Sequence, residues 1–407
     1  MAVNLPSQLS SLQPIPGIRI GTTCAQIKPA QLRDDLTLFE LAPTSHCAAV
    51  FTRNAFCAAP VVVARQHLPT TSPRFWLINS GNANAGTGER GFQAALASCQ
   101  MVAQLSGASV SEVLPFSTGV IGVPLPVDKI QTALPLAVAN LAANHWNQAA
   151  SAIMTTDTVP KGISIQRTIA GKTLHITGIA KGAGMIKPDM ATLLAFIATD
   201  ATVPQPILQN CLSQAVEVSF NRITVDGDTS TNDACVLAAT GRGTITIDSL
   251  KHPDFQAFCQ AITEVCLYLA QAIIRDGEGA TKFITITVEQ GASKPECLDV
   301  AYAIAHSPLV KTAFFASDAN WGRILAAVGR AGISNLDINA VQIILNQVTI
   351  VHQGSLAQGY TEEQGQQVMA QPEIQIRVLL GRGHDQATIF TCDLSHDYVR
   401  INAEYRT

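Results

Sequence analysis

The apolar positions of this chain fall into short stretches whose spacing announces their secondary structure. Phe75-Trp-Leu-Ile-Asn79 is a continuous apolar run of strand length, and Phe283-Ile-Thr-Ile-Thr-Val288 alternates with a period of two. Thr244-Ile-Thr-Ile-Asp248 and Val341-Gln-Ile-Ile-Leu345 are read as strands on the same grounds. Gly91 to Leu105 carries helix-forming Ala, Gln and Leu, and Pro253 to Ala272 has the spacing of a longer amphipathic helix. Strands interrupted by helices, without strict alternation, predict an α/β or α+β layered sandwich rather than a barrel. No repeat of solenoid length and no low-complexity linker interrupts the pattern.

Composition narrows the classes. The chain has 407 residues, 47% hydrophobic and 14% charged, which suits a large buried core and excludes a disordered solvating chain. The formal charge of -4, without any Lys/Arg-rich run, argues against a nucleic-acid partner. Met1 to Leu12 lacks a charged start followed by an apolar block, so no secretory signal is expected. The unbroken apolar runs, such as Leu193 to Ala198, fall far short of the roughly 18 residues of a membrane span. Ten scattered cysteines without a CxxC pair are expected to be buried, reduced thiols of a cytoplasmic protein.

Four clusters of Gly with Ser, Thr or Asn punctuate the chain: Asn79 to Gly86, Ser117 to Gly122, Lys181 to Gly184 and Asp276 to Gly279. Each marks a turn or a close backbone approach, and together they raise the expectation of a small polar ligand. Gly171-Lys-Thr173 resembles the end of a phosphate loop, but Gln166 stands where that loop needs its first Gly. It is read as a hairpin turn. Asp276-Gly-Glu-Gly279 lacks the third Gly of a dinucleotide fingerprint, and none of the nine histidines has a metal-ligand spacing. No metal or nucleotide cofactor is therefore expected.

Chemistry concentrates in Lys181-Gly-Ala-Gly-Met-Ile-Lys-Pro-Asp-Met-Ala-Thr192, a glycine-containing loop, followed by an abrupt apolar run that reads as a buried strand beginning at Thr192. A threonine hydroxyl is a poor nucleophile until a base takes its proton. Breaking the Ala191–Thr192 bond would supply that base as a free α-amine, with an unperturbed pKa of about 7.7–8.0. The same hydroxyl could make the cut by attacking the Ala191 carbonyl, with an N-to-O acyl shift and hydrolysis of the ester. Spacing alone favours an ordinary threonine at the start of a strand, a common placement.

The same segment resembles the cleavage site of the bifunctional ornithine acetyltransferase (glutamate N-acetyltransferase) family of arginine biosynthesis. Asn79 to Asn84, Ser117 to Gly122, Thr155-Thr-Asp157, Asn221 to Asp233, Asp276 to Lys282, Asp318 to Arg323 and Tyr398 to Thr407 resemble that family too, over essentially the whole chain. The resemblance implies an αββα-type sandwich with an N-terminal-nucleophile active site. It implies two chains from one precursor, 1–191 and 192–407, assembled in the cytoplasm as two copies of each.

By motif, Thr192 becomes the acetylated nucleophile, Thr118 and Gly119 the oxyanion hole, and Thr155, Lys181, Thr192, Glu278, Asn402 and Thr407 the amino-acid site. The reaction implied is a ping-pong transfer of acetyl from N2-acetylornithine to glutamate. It needs no cofactor, and acetyl-coenzyme A stays open as a second acetyl donor. Lys181 suits a substrate carboxylate and Glu278 the cationic side chain of ornithine. Without the resemblance, Lys181 reads as a solvated loop charge and Glu278 as a helix cap. A self-processed amidase or aminopeptidase using the same threonine is the competing enzyme reading, and an uncut amino-acid-binding protein is the non-enzymatic one.

Overall fold

The computed structural model describes residues 2–28, 32–187 and 193–404. In chain order the strands are β1 (Ile18–Thr23), β2 (Leu36–Leu41), β3 (His46–Phe51), β4 (Phe75–Asn82), β5 (Val113–Val120), β6 (Lys161–Ile169), β7 (Lys172–Lys181) and β8 (Leu194–Thr199). They continue as β9 (Ile223–Thr224), β10 (Ala234–Ala239), β11 (Phe283–Gly291), β12 (Gln342–Leu345), β13 (Val348–His352), β14 (Ser355–Leu356), β15 (Glu373–Leu379) and β16 (Asp385–Cys392). The helices are α1 (Ala59–His67), α2 (Gly88–Ser106), α3 (Val127–Ala139), α4 (Trp146–Ala152), α5 (Gln205–Val218) and α6 (Phe255–Arg275). After them come α7 (Lys294–Ala305), α8 (Pro308–Phe315), α9 (Trp321–Gly329), α10 (Glu362–Met369) and α11 (His396–Ala403).

Two compact units emerge, one of residues 7–221 and 228–273, the other of 1–6, 222–227 and 274–407. In the first, β1-β2-β4-β5 form one sheet and β3-β10-β8-β7-β6 a second. Alternation within strands explains how they stack. Leu36, Leu38, Phe75 and Leu77 face one way, into a core with Ala95, Cys99 and Val102 of α2 and Ile130 and Leu134 of α3. Phe39, Leu41, Trp76 and Ile78 face the other way, meeting Ala49, Phe196, Ala198 and Val236 of the second sheet. On that sheet's far side α5 packs against β3, and Val265 and Leu269 of α6 reach Gly178 of β7. The first unit is thus an αββα sandwich, as expected.

Between the sheets lies an aromatic cluster. Phe196 stacks on Phe39 with ring centroids 5.7 Å apart and meets Phe116 edge-on at 5.1 Å. Replacing Phe196 by Ala would cost roughly 3–5 kcal/mol. Its strand, β8, is buried at every position because it lies mid-sheet, parallel to β10 and antiparallel to β7. The Leu193–Ala198 apolar run therefore is the buried strand expected, from Leu194 onward; Thr192 itself lies outside the described residues.

The second unit holds the sheet β14-β13-β12-β15-β11-β16-β9. Its core joins Ile284, Ile286 and Ile376 to Val300 and Ile304 of α7, Val328 of α9 and Val368 of α10.

Most elements read from the sequence form with boundaries shifted by a few residues. Ala170 and Gly171, both at positive φ, make the hairpin turn between β6 and β7. Thr244–Asp248 is the exception. Ile245 and Ile247 are buried, yet the segment forms only one parallel bridge, Thr202 to Thr246. Its partner runs straight into Pro204, which offers no N–H to extend a ladder and leads into α5.

All ten cysteines are free thiols, eight buried and Cys24 and Cys57 half-buried. The helix α6 is, by length and composition, long and apolar enough to cross a membrane. Most of it lies buried, with Phe258, Ile262, Val265 and Leu269 inside the fold, as befits a core helix.

Candidate active site

Three of the four glycine clusters converge in the first unit. Strands β4 and β5 run parallel and set Ser80 against Thr118 and Gly81 against Gly119, with an irregular register where Asn82 meets both Thr118 and Val120. The Asn79–Asn84 and Ser117–Gly119 motifs are therefore neighbours at one end of one sheet. Gly119 sits at φ +136°, and a Cβ there would lie 2.3 Å from the Gly81 carbonyl carbon. The pairing demands glycine.

The asparagines of this region hold backbone. Asn79 Nδ2 donates to the Asn82 carbonyl at 2.9 Å, and Ser117 Oγ donates to Asn79 Oδ1 at 2.6 Å. The Asn84 N–H donates to Asn82 Oδ1 at 2.7 Å. From the Asn221–Asp233 motif, buried Asn232 donates through Nδ2 to the carbonyls of Ala83 (2.6 Å) and Ser117 (2.9 Å), stitching β4 to β5. Such contacts fix the ends of both strands rather than reach for a ligand.

Lys181 closes the arrangement. It is the last residue of β7, and its ammonium donates to Thr155 Oγ1 at 2.7 Å and to Thr118 Oγ1 at 3.2 Å. The side chain is largely buried, so it is not the solvated loop charge that composition alone would suggest. A hydroxyl that accepts from an ammonium keeps its own proton to donate elsewhere. Thr118 and Thr155, both half-buried, are thereby left as oriented donors.

Two buried carboxyls flank this lysine, and both escaped the sequence reading as site residues. The Asp157 side chain is fully buried. Its Oδ1 accepts from Lys161 Nζ (2.6 Å) and the Gly182 N–H (2.7 Å), and its Oδ2 from the Thr155 N–H (2.9 Å). Lys181 Nζ lies 4.0 Å from Oδ2. Burial is the largest single influence on Asp157 and would raise its pKa. The charges of Lys161 and Lys181, with the hydrogen bonds from Lys161 and Thr155, outweigh it and hold the carboxyl below the ordinary carboxylate range.

Asp233 behaves oppositely. Burial pushes its carboxyl well above the ordinary range, only partly countered by Ser230, Lys181 and the Leu193 N–H. Its Oδ2 is buried without a hydrogen-bond partner among the described residues. The only sequence signal for either acid is its place at the end of a motif, Thr155–Asp157 or Asn221–Asp233.

The fourth glycine cluster belongs to the second unit. Gly279 packs against Ser395 and the Tyr398 backbone, at the start of α11. One turn further, Asn402 Nδ2 donates to Glu278 Oε2 at 2.7 Å. Glu278 is buried beyond the end of α6, whereas Asn402 is exposed. These two expected site residues are therefore brought together. Ala191, Thr192 and Thr407 lie outside the described residues.

A sequence model of the ArgJ family matches residues 19–407. The chain is 55% identical over 408 residues to the arginine biosynthesis bifunctional protein ArgJ of Pseudomonas syringae pv. tomato, with 100% of each chain covered. It is 59% identical over 396 residues to the protein of that name from Methylococcus capsulatus, with 97% of each covered. Among solved structures it is similar to the ornithine acetyltransferase of Mycobacterium tuberculosis complexed with ornithine. That likeness has 33% identity, 46% of this chain and 98% of that chain covered, and a TM-score of 0.38.

Proposed function

The chain belongs to the ArgJ family, and from that premise we propose that it is a self-cleaving acetyltransferase carrying acetyl from N2-acetylornithine to glutamate. Thr192 is the nucleophile, freed by hydrolysis of the Ala191–Thr192 bond into chains 1–191 and 192–407. Its hydroxyl attacks the acetyl carbonyl of N2-acetylornithine while its own α-amine takes the hydroxyl proton. The tetrahedral oxyanion is met by Thr118 and the backbone at Gly119. Collapse breaks the amide C–N bond, and ornithine leaves carrying the proton. Glutamate's neutral amine then attacks acetyl-Thr192, its proton passing through the α-amine to the threonine oxygen as the ester C–O bond breaks, and N-acetylglutamate departs.

The observation that carries this reading is the convergence on Lys181. One ammonium bonds both Thr118, assigned to the oxyanion, and Thr155, assigned to the amino acid. A cation with the oriented hydroxyl of Thr155 beside it suits a substrate α-carboxylate, while the single hydroxyl proton of Thr118 is kept for the oxyanion. The family resemblance assigns Glu278, Asn402 and Thr407 to the amino-acid site as well, with Glu278 as the carboxylate for ornithine's side-chain ammonium. The amide itself carries the acetyl group, so the cycle calls for no cofactor. The working form is cytoplasmic and contains two copies of each chain.

The test is the intact mass of denatured protein together with the fate of the acetyl group. Two species, one beginning at Thr192, with acetyl passing to glutamate faster than to water, support the proposal. A single full-length mass removes the α-amine base and with it the mechanism. Acetyl reaching water alone would return the amidase reading. The same assay with acetyl-coenzyme A decides whether it is a second donor.

A further inference from the structure

We infer that Asp157 is a positioning residue, whose carboxylate holds Lys181 as a directed ammonium so that Thr118 and Thr155 are turned to donate toward substrate. The inference rests on the carboxylate-binding role proposed for Lys181 and adds the group that makes that role possible.

The two carboxylate oxygens are divided between different tasks. Oδ1 takes the ammonium of Lys161 and the Gly182 N–H, and so anchors the start of the loop after β7. Oδ2 takes the Thr155 N–H and faces Lys181 Nζ at 4.0 Å. That separation is too long for a hydrogen bond and short enough for strong attraction. Lys181 therefore feels the charge of Asp157 while directing N–H groups to Thr155 and Thr118. A lysine that spent those donors on the carboxylate would leave the two hydroxyls unoriented. Asp157 also fixes the Thr155 backbone, so one side chain sets the position of both partners.

Among the described residues, the charged groups near Lys181 include Asp157, Lys161 and Asp233. Lys161 repels it, and burial drives Asp233 toward its protonated form. Asp157 is held ionised by the lysines and N–H groups around it. Its charge helps to offset the burial of Lys181, since a buried ammonium with less counter-charge loses its proton more readily.

The experiment uses the full-length chain in two variants. Asp157→Asn removes the charge but strands the buried Lys161. The double variant D157N/K161M removes acid and base together, so that Lys161 is not left as a stranded charge. Reductive methylation over a pH series, read by peptide mass spectrometry, gives the pH at which Lys181 is half-reactive. That midpoint is expected to fall by about one unit or more in folded D157N, and by less in the double variant, where the lost repulsion of Lys161 offsets part of the lost attraction. In parallel, KM for N2-acetylornithine and for glutamate should climb with rising pH in the variant and stay flat in the parent, with kcat changing less.

An unmoved midpoint in a variant whose thermal melt shows it folded overturns the inference, whatever the kinetics do. A moved midpoint with KM flat against pH leaves the hold of Asp157 on Lys181 standing. It overturns instead the substrate role of Lys181 on which the inference is built.

Discussion

Gly81 and Gly119 face each other across the parallel strands β4 and β5, so closely that a methyl group on Gly119 would overlap the Gly81 peptide. The obstacle is backbone on both sides and cannot rotate away. The oxyanion site proposed at Thr118 and Gly119 thus depends on a contact made one strand over.

Gly119→Ala is expected to combine that overlap with the strain of a side chain at φ +136°. The strain alone is worth about 1–3 kcal/mol. Displacing the oxyanion donors should cost roughly 10²–10³ in kcat. Urea denaturation and steady-state kinetics check the two effects. A variant of parental kcat would mean that the oxyanion is stabilised elsewhere.

Lys181→Met removes the ammonium shared by Thr118 and Thr155. A hydrogen bond to a charged group is worth about 1.5–3 kcal/mol, so KM for both amino acids should rise about 10- to 100-fold. Initial rates with each substrate varied in turn supply the measurement. Unequal effects on donor and acceptor would show that Lys181 does not meet the α-carboxylate they share.

Glu278→Gln should separate the two half-reactions. N2-acetylornithine carries a side-chain ammonium that needs the carboxylate, and glutamate does not. Acetylation of the enzyme is expected to slow about tenfold or more at low donor concentration. Transfer from acetyl-enzyme to glutamate should change little. Rapid-quench measurement of each half-reaction decides, and equal slowing would count against the assignment.

Thr192→Ala should leave an uncut chain with neither acetyl adduct nor transfer, because one hydroxyl is assigned to both reactions. Intact-mass analysis after incubation with N2-acetylornithine reads both at once. Transfer that persisted in this variant would sink the mechanism.

Acid sensitivity has a defined contributor in the second unit. Hydrogen bonds from Arg275 hold the Glu373 carboxyl down to about 2 from its ordinary 4.5. A depressed pKa gives stability that is complete above 4.5 and fades as pH falls toward 2. Glu373 is substantially exposed, so screening limits the pair to less than about 1 kcal/mol. Glu373→Gln should therefore destabilise the protein slightly at neutral pH and progressively less across that window. Denaturation midpoints at several pH values test the trend, and a deficit independent of pH would contradict it.

Local patterning made much of this molecule legible. The run after Thr192 became β8 and the Gly171 turn closed β6 onto β7, because short-range periodicity and turn chemistry decide such features. Thr244–Asp248 failed because a strand needs a partner, and Pro204 removes it. The motifs revealed Thr118, Thr155 and Lys181 as separate residues, whereas their meeting depends on strand order, which no local signal encodes. Asp157 and Asp233 remained hidden for the same reason. A carboxyl takes its character from the groups packed around it, and for both acids these join near neighbours in sequence, such as Lys161 and Ser230, to the distant Lys181.

In the five-stranded sheet, β8 and β10 lie side by side between β3 on one flank and β7 on the other. Both inner strands follow the Ala191–Thr192 bond in sequence, and both flanking strands precede it. Hydrolysis of that bond would therefore leave two interleaved polypeptides with no seam along which to part. Each, taken alone, would carry strand edges with nothing to pair. A chain that folded while continuous would have to rebuild the same sheet from denaturant by bimolecular encounter. Assembly would become a one-way event, with marked hysteresis between unfolding and refolding and a lifetime set by the unfolding barrier rather than by equilibrium.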